Sequence, residues 1–250
     1  MVSIKTDEQI KIMREAGRIA ALAHEAIGKA IAPGISTMEL ARIAGKLIRG
    51  HGAHPSFKGY DNFPEDICIS LNNEVIHGIP SKKRTIRDGD VVSIDIGARF
   101  KGYHGDMART YLIGNVSDDA KRLYEITKEA FYAGMNAAIE GNRIRDISRA
   151  VFEVADRNGI GVVRDYVGHG VGEKLHEDPE IPNFVDKKKG TRLYAGMTLA
   201  IEPMFNLGSP DTYVCDKDGW TVRTQDGAIS CHYENTILVT KEEPEILTKI

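Results

Sequence analysis

Apolar residues in the first fifty positions recur at helical spacing, and the beat then shortens to that of strands. Ile12, Ala16, Ile19, Ala20, Ala23 and Ile27 fall on one stripe, with a capping box of Thr6 and Gln9 before them and Pro33-Gly34 after them. That combination predicts a long amphipathic first helix. A second capping box, Ser36 with Glu39, opens a helix carrying Leu40, Ile43, Ala44, Leu47 and Ile48 on one stripe and ending near Gly50. A loop follows over His54-Pro-Ser-Phe-Lys-Gly-Tyr60, then strand-like Asp66-Ile-Cys-Ile-Ser-Leu71 and the segment Glu74-Val-Ile-His-Gly-Ile-Pro80. Asp90-Val-Val-Ser-Ile-Asp-Ile-Gly97 and Gly105-Asp-Met-Ala-Arg-Thr-Tyr-Leu112 read as a hairpin joined by Arg99-Phe-Lys-Gly102. With that four-residue loop, Asp95 stands directly opposite Asp106, with Cβ atoms about 5 Å apart. Ser117 then caps a helix through Leu123, Ile126, Ala130 and Ala137, and another runs from about Asp146 to Arg157 with Ile147, Ala150, Val151 and Val154 facing inward.

The last third reads as strands and loops. Gly168-His-Gly-Val-Gly172 has three glycines in five positions, which predicts a loop bringing backbone close to a ligand rather than a helix bearing His169 and His176 on one face. Met197-Thr-Leu-Ala-Ile-Glu-Pro203 is a strand that Pro203 ends, leaving Glu202 at its tip. From Ala228 to Val239 the alternation puts Ser230, His232, Glu234 and Thr236 on one face. Two helices followed by strands, twice over, suggest a duplicated plan, although no sequence repeat accompanies it.

Composition narrows the class. The chain has 250 residues, 42% apolar and 28% charged, which suits a globular protein with a sizeable core, and one domain, or two fused halves, is expected over residues 1–250. A net charge of -3 gives no basic footprint for nucleic acid, and the run Lys187-Lys-Lys189 reads as a solvated loop. Cys68, Cys215 and Cys231 are odd in number and lack CxxC spacing, as expected of reduced thiols in a cytoplasmic protein. Neither an apolar signal core nor a membrane-spanning run is apparent.

Asp95, Asp106, His169, Glu202 and Glu234 end four short segments that all aim a ligand at one place. A half-buried pair of aspartates must take up a proton or hold a cation. A carboxylate-rich site with one imidazole and no thiolate suits divalent ions such as Mn, Fe, Co or Zn, and two ions about 3.5 to 4 Å apart would make a hydrolase centre. Singly, each residue has a plainer explanation. An acidic residue in a strand is usually at the surface, His77 between apolar neighbours reads equally as a core histidine, His176 as a loop histidine, and Cys68 and Cys231 as small core residues. Jointly those explanations weaken, because acidic residues at strand interiors beside Gly and Pro are disfavoured unless something compensates.

The motifs Val75-Ile-His-Gly-Ile-Pro80, Asp95-Ile-Gly97, Gly105-Asp-Met-Ala-Arg-Thr110, Gly168-His-Gly-Val-Gly172, His176-Glu-Asp-Pro179, Ala200-Ile-Glu-Pro-Met204 and Tyr233-Glu-Asn-Thr236 occur in the order and spacing of a known family. Across essentially its whole length the chain resembles type I methionine aminopeptidases. The resemblance implies an α/β (α+β) pita-bread fold of two pseudo-symmetric halves, whose central curved antiparallel sheet is backed by helices. It implies two divalent ions (Co, Mn, Fe, Zn or Ni), with Asp95 chelating one, Asp106 and Glu234 bridging, and His169 and Glu202 completing the other. A metal-bound hydroxide would attack the carbonyl of an initiator methionine when the second residue is small. Glu202 would shuttle the proton, His176 steady the oxyanion and His77 the scissile amide. Phe57, Tyr60, Cys68 and Trp220 would form the apolar pocket. Implied partners are the N-terminal methionine of nascent polypeptides and, transiently, the ribosome; a monomer is expected, and Met1-Val2 is itself a suitable substrate. Departures are Asn235 where His is frequent, His232 where Gln is common, and Leu175 where Phe is frequent, which bear on pocket shape and the surroundings of the metals. The rival readings are an Xaa-Pro aminopeptidase or prolidase of the same fold and a catalytically dead peptide-binding relative. Type II methionine aminopeptidases carry a late helical insertion for which the path from Glu202 to Glu234 is too short.

Overall fold

Among the described residues four α-helices supply two apolar backings. The computed structural model describes residues 2–185, 187 and 189–250. Helix α1 spans Asp7–Ala30 and α2 spans Thr37–Gly50; both open with the expected capping box, the Thr6 and Ser36 hydroxyls accepting from the Gln9 and Glu39 amides. Ile19, Ala23 and Ile27 of α1 and Leu40, Ala44 and Ile48 of α2 pack on Ile69, Ile94 and Ile96 of the first sheet. Helix α3, Asp118–Asn136, is capped by Ser117, and α4 spans Ile144–Asn158. The last begins two residues before the expected Asp146, because the Asp146 carboxylate reaches back to accept from the Arg143 amide at 2.9 Å. Leu123, Ile126, Ile147 and Val151 form a second core with Leu199, Ile201, Phe205 and Ile237. Fully burying each Ile or Leu stabilises by about 1.5 to 3 kcal/mol, so these stripes, rather than helix propensity, hold the helices.

The strand ladders are antiparallel, and one departs from the expected register. Strands Val91–Phe100 and Tyr103–Leu112 pair Arg99 with His104 and Phe100 with Tyr103, so Asp106 faces Gly97 and Asp95 faces Ala108. Lys101 (φ 45°) and Gly102 (φ 92°) both take the left-handed conformation and close the turn in two residues instead of four. The two aspartates are therefore diagonal neighbours on one face, not directly opposed.

Gly168–Gly170 is a strand, not the expected loop, and it lies between Glu177–Ile181 and Thr198–Ile201 in a five-stranded sheet. Its glycines serve backbone packing. A Cβ on Gly168 would stand 2.5 Å from the Ala200 carbonyl oxygen, and one on Gly170 would stand 2.2 Å from that of Asp178.

Pro203 does interrupt its strand, but the chain resumes as Met204–Asn206, and the partner strand breaks opposite it at Tyr233-Glu234. Register runs unchanged across the gap, Ile201 pairing with Asn235 and Met204 with His232. Glu202 and Glu234 consequently face each other across the two-residue interruption. This broken pair is laced to Tyr103–Leu112: the Glu234 amide donates to the Ala108 carbonyl at 3.0 Å. The Thr236 hydroxyl accepts from the Asp106 amide and donates to the Asp106 carbonyl, both at 2.9 Å, and the Thr110 hydroxyl donates to the His232 carbonyl at 2.9 Å. Among the described residues no helix is long and apolar enough to cross a membrane. Lys187 and Lys189 are exposed, as expected of a solvated run, while Lys188, like Met1, lies outside the described residues.

Candidate metal centre and adjoining pocket

The five acidic and imidazole side chains singled out in the sequence converge where the sheet of Val91–Phe100 and Tyr103–Leu112 meets the five-stranded sheet. Asp106 and Glu234 are buried, and the Glu202 side chain keeps 12% exposure. Asp106, His169 and Glu234 offer ligand atoms within 4.8 Å of one another, and so do Glu202, His232 and Glu234. Glu234 belongs to both sets, which gives it the position of a bridge. Asp95 joins neither set but shares a hydrogen bond with Asp106.

Charge balance fails here without a cation. Burial, and then the neighbouring carboxylates, push Asp95, Glu202 and Glu234 well above the usual carboxylate range. Burial likewise raises Asp106 to about 7, against the hydrogen bond from Asp95, which lowers it. Among the described residues seven buried side-chain polar atoms lack a hydrogen-bond partner, and four of them, Asp95 Oδ1, Asp106 Oδ1, Glu234 Oε1 and His232 Nε2, lie at this one place. Each such atom costs about 1 to 3 kcal/mol, and divalent ions would satisfy all four, so the residues fit a metal centre.

The imidazoles are set to act as neutral donors. His169 Nδ1 is 2.9 Å from the Gly170 carbonyl, which can only accept, so this nitrogen carries the proton. The Nε2 lone pair is left facing the carboxylates, 3.3 Å from Glu202 Oε1. Burial and the field of His176 bring His169 down to about 3, which keeps it unprotonated. The Asn183 amide fixes Glu202 by donating to its backbone carbonyl at 3.0 Å. Cys68 pairs with Asp95 across the sheet, but burial and the carboxylates push its thiol well up, so it stays protonated and does not compete as a ligand.

A pocket adjoins the carboxylates on one side and a cleft on the other. Phe57, Phe63, Cys68 and Leu175 are buried together, with Ile79 and Trp220 packed against them. Phe57, Phe63, Cys68, Leu175 and Trp220 line a cavity of about 200 Å³ that Tyr60, Asp95, Asp106, Glu202 and Glu234 also line. A cleft of about 780 Å³, bordered by Tyr166, His169, His176 and Glu202, leads outward. His77 lines both spaces. It is half-buried at φ 60°, its ring edge-on to Tyr166 at 5.8 Å and to Trp220 at 6.1 Å, and burial lowers it to about 4. The following Gly78 is obligatory, because a Cβ there would meet the Ile69 carbonyl oxygen at 2.2 Å. His176 is exposed, bonds the Tyr60 hydroxyl at 2.6 Å and sets its ring against His169 with centroids 4.3 Å apart.

All eleven residues expected at the site are thus within one constellation. Sequence reasoning missed Phe63 and Tyr166 in the walls, and it left His232 outside the set of converging side chains. His232 had a signal in the strand alternation that places it on the face of Glu234; the two wall residues had none, since only the tertiary fold brings their loops here.

Comparison with known proteins agrees with this geometry. The model of metallopeptidase family M24 matches residues 11–241. Methionine aminopeptidase 1 of Bacillus subtilis (strain 168) is 52% identical over 251 residues, covering 100% of both chains. The crystal structure of a methionine aminopeptidase from Thermotoga maritima superposes with a TM-score of 0.98 at 40% identity and covers 100% of both chains. A prolidase from Pyrococcus furiosus gives 0.79 at 29% identity, covering 99% of this chain and 65% of that one.

Proposed function

The chain belongs to metallopeptidase family M24, and we propose that it is a methionyl aminopeptidase that hydrolyses the bond after the first methionine of nascent polypeptides when the second residue is small. It has the pita-bread fold of its structural relatives. The observation that carries the reading is the junction of a pocket walled on one side by Phe57, Phe63, Leu175 and Trp220 with a carboxylate-rich centre. The 200 Å³ cavity has room for one side chain, and its aromatic walls suit an unbranched thioether.

Asp95, Asp106, His169, Glu202 and Glu234 would hold two divalent ions, among Co, Mn, Fe, Zn and Ni. Such ions supply Lewis acidity, easing proton loss from water near neutral pH and polarising the scissile carbonyl. The protein's own groups do the rest. The pocket seats the methionine side chain and so fixes the first peptide bond over the carboxylates. Glu202 borders the cleft at the centre, where its carboxylate can take a proton from water and return it to the departing amine. His176, steadied by Tyr60, reaches the carbonyl oxygen from the cleft, and the neutral His77 ring holds the scissile amide. The cleft receives the remaining polypeptide, and crowding beside the carboxylates limits the second residue to small types. All donors come from one chain, so residues 1–250 act as a single catalytic domain and a monomer suffices. Three free cysteines and a substrate emerging from the ribosome favour the cytoplasm as its place of action.

Identity of 52% over the full length with a methionine aminopeptidase, against 29% with the prolidase, weighs against a proline-specific activity. The test is release of free methionine from Met-Ala-Ser and Met-Pro peptides, with Xaa-Pro controls, after chelation and stepwise return of Mn, Fe or Co. Methionine should appear only with metal, from Met-Ala-Ser and from those Met-Pro peptides in which proline is the second residue. Cleavage of the controls would assign the chain to the proline-specific branch, and no release with any metal would make it a binding relative.

A further inference from the structure

We propose that His232 is a metal-contacting residue of this centre, a second imidazole beside Glu202 and Glu234 that adds to the five donors proposed above. The inference rests on the metallopeptidase reading and extends its set of donors. Glu202 lies between two imidazoles, Oε1 3.3 Å from His169 Nε2 and Oε2 3.6 Å from His232 Nε2. His232 Nε2 is also 3.8 Å from Glu234 Oε2. The two His232 separations are too long for hydrogen bonds, whereas two ligands held about 2.1 Å from one tetrahedral ion stand about 3.4 Å apart. His232 is 1% exposed, and its Nε2 has no hydrogen-bond partner. An inward-facing nitrogen left unpaired in a buried site needs a partner, and the carboxylates of Glu202 and Glu234 beside it are groups that a cation would join to it.

The backbone holds the residue in that pose. The His232 amide donates to the Thr110 hydroxyl at 3.2 Å, its carbonyl accepts from the same hydroxyl, and its strand pairs with Met204. Glu234, two residues on, shares its face. The chemical consequence is selectivity. Imidazole suits Zn, Co, Ni and Fe, while all-oxygen sets suit Mn, so a second imidazole tilts this centre toward the former.

The test compares the metal-free protein with its His232→Gln and His169→Gln variants. Calorimetric titration with Co and with Mn gives affinities, and proton NMR of the cobalt-loaded forms counts the shifted, solvent-exchangeable imidazole N–H resonances. Two resonances are expected in the parent and one in each variant. His232→Gln should also weaken cobalt binding by about tenfold or more, with a smaller change for Mn. If both resonances persist in His232→Gln, or cobalt affinity is unchanged, His232 is not a ligand and the proposal falls. If His169→Gln also leaves cobalt binding intact, the metal-centre reading itself fails, a separate outcome. Melting of the metal-free variants checks folding, and His232→Asn serves if the Gln variant does not fold.

Discussion

Asp106 concentrates several demands on one side chain. It is buried, one carboxylate oxygen has no partner, and its backbone is held at both polar groups by Thr236. Asp106→Asn keeps its size and removes its charge, so the expected result is a fall in methionine release of more than about a hundredfold with unchanged circular dichroism. Near-normal turnover would refute the bridging role. His176 is the contrasting case, because it is exposed and its Nδ1 is committed to Tyr60. His176→Ala should lower kcat by about a hundredfold while metal content measured by atomic absorption stays constant; loss of metal would make it a ligand. The convergence of Asp95, Asp106, His169, Glu202 and Glu234 was legible in the sequence because each stands beside Gly or Pro, or in a polar stripe, where a carboxylate or imidazole is out of place in a strand. Phe63 and Tyr166 were not, because an aromatic residue in a loop carries no local mark of the cavity it will line.

Helix ends were readable to within about two residues because capping is local chemistry: Thr6, Ser36 and Ser117 begin their helices as the pattern requires. Register was less readable. Choosing two or four residues for the turn after Phe100 depends on whether Lys101 accepts a left-handed φ beside Gly102, and alternation alone is the same for either choice. The paired interruptions at Glu202-Pro203 and Tyr233-Glu234 were half legible, since proline marks one break and nothing marks the other. What joins these elements is the threonine lacing. Thr236→Val removes the acceptor of the Asp106 amide and the donor to its carbonyl, leaving two buried groups unpaired at about 1 to 3 kcal/mol each. The expected result is a denaturant midpoint lowered in proportion and weaker metal binding, with Thr236→Ser close to the parent. A valine variant of parental stability would mean that the lacing contributes nothing to the seam.

At the scale of the molecule, the four-stranded and five-stranded sheets bring their carboxylates to a common junction, and the resulting repulsion makes stability depend on metal and pH together. Asp95, Asp106, Glu202 and Glu234 all have folded pKa values raised above the ordinary range, Asp106 to about 7. Their protons bind more tightly in the folded chain than in the unfolded one. That stabilisation is fully present below the unfolded value of about 4 and is lost as pH rises through the folded value. Buried histidines act in the opposite sense. His24 and His104, lowered to about 3 and about 4 by burial, favour the folded chain above about 6.5, and their contribution is lost as pH falls toward the folded values. Both histidines lie outside the donor set, so their contribution cancels when the metal-loaded and metal-stripped forms are compared at one pH. The difference isolates the carboxylates, where cations displace protons. A cation at about a thousand times its Kd stabilises by about 4 kcal/mol, which corresponds to about 8 to 16 °C in Tm for a chain of this size. The gap in Tm between loaded and stripped protein should therefore widen steadily from about pH 5 to about pH 8. A gap independent of pH would place the cation away from these carboxylates, since only protons already held at the junction can make its binding proton-linked.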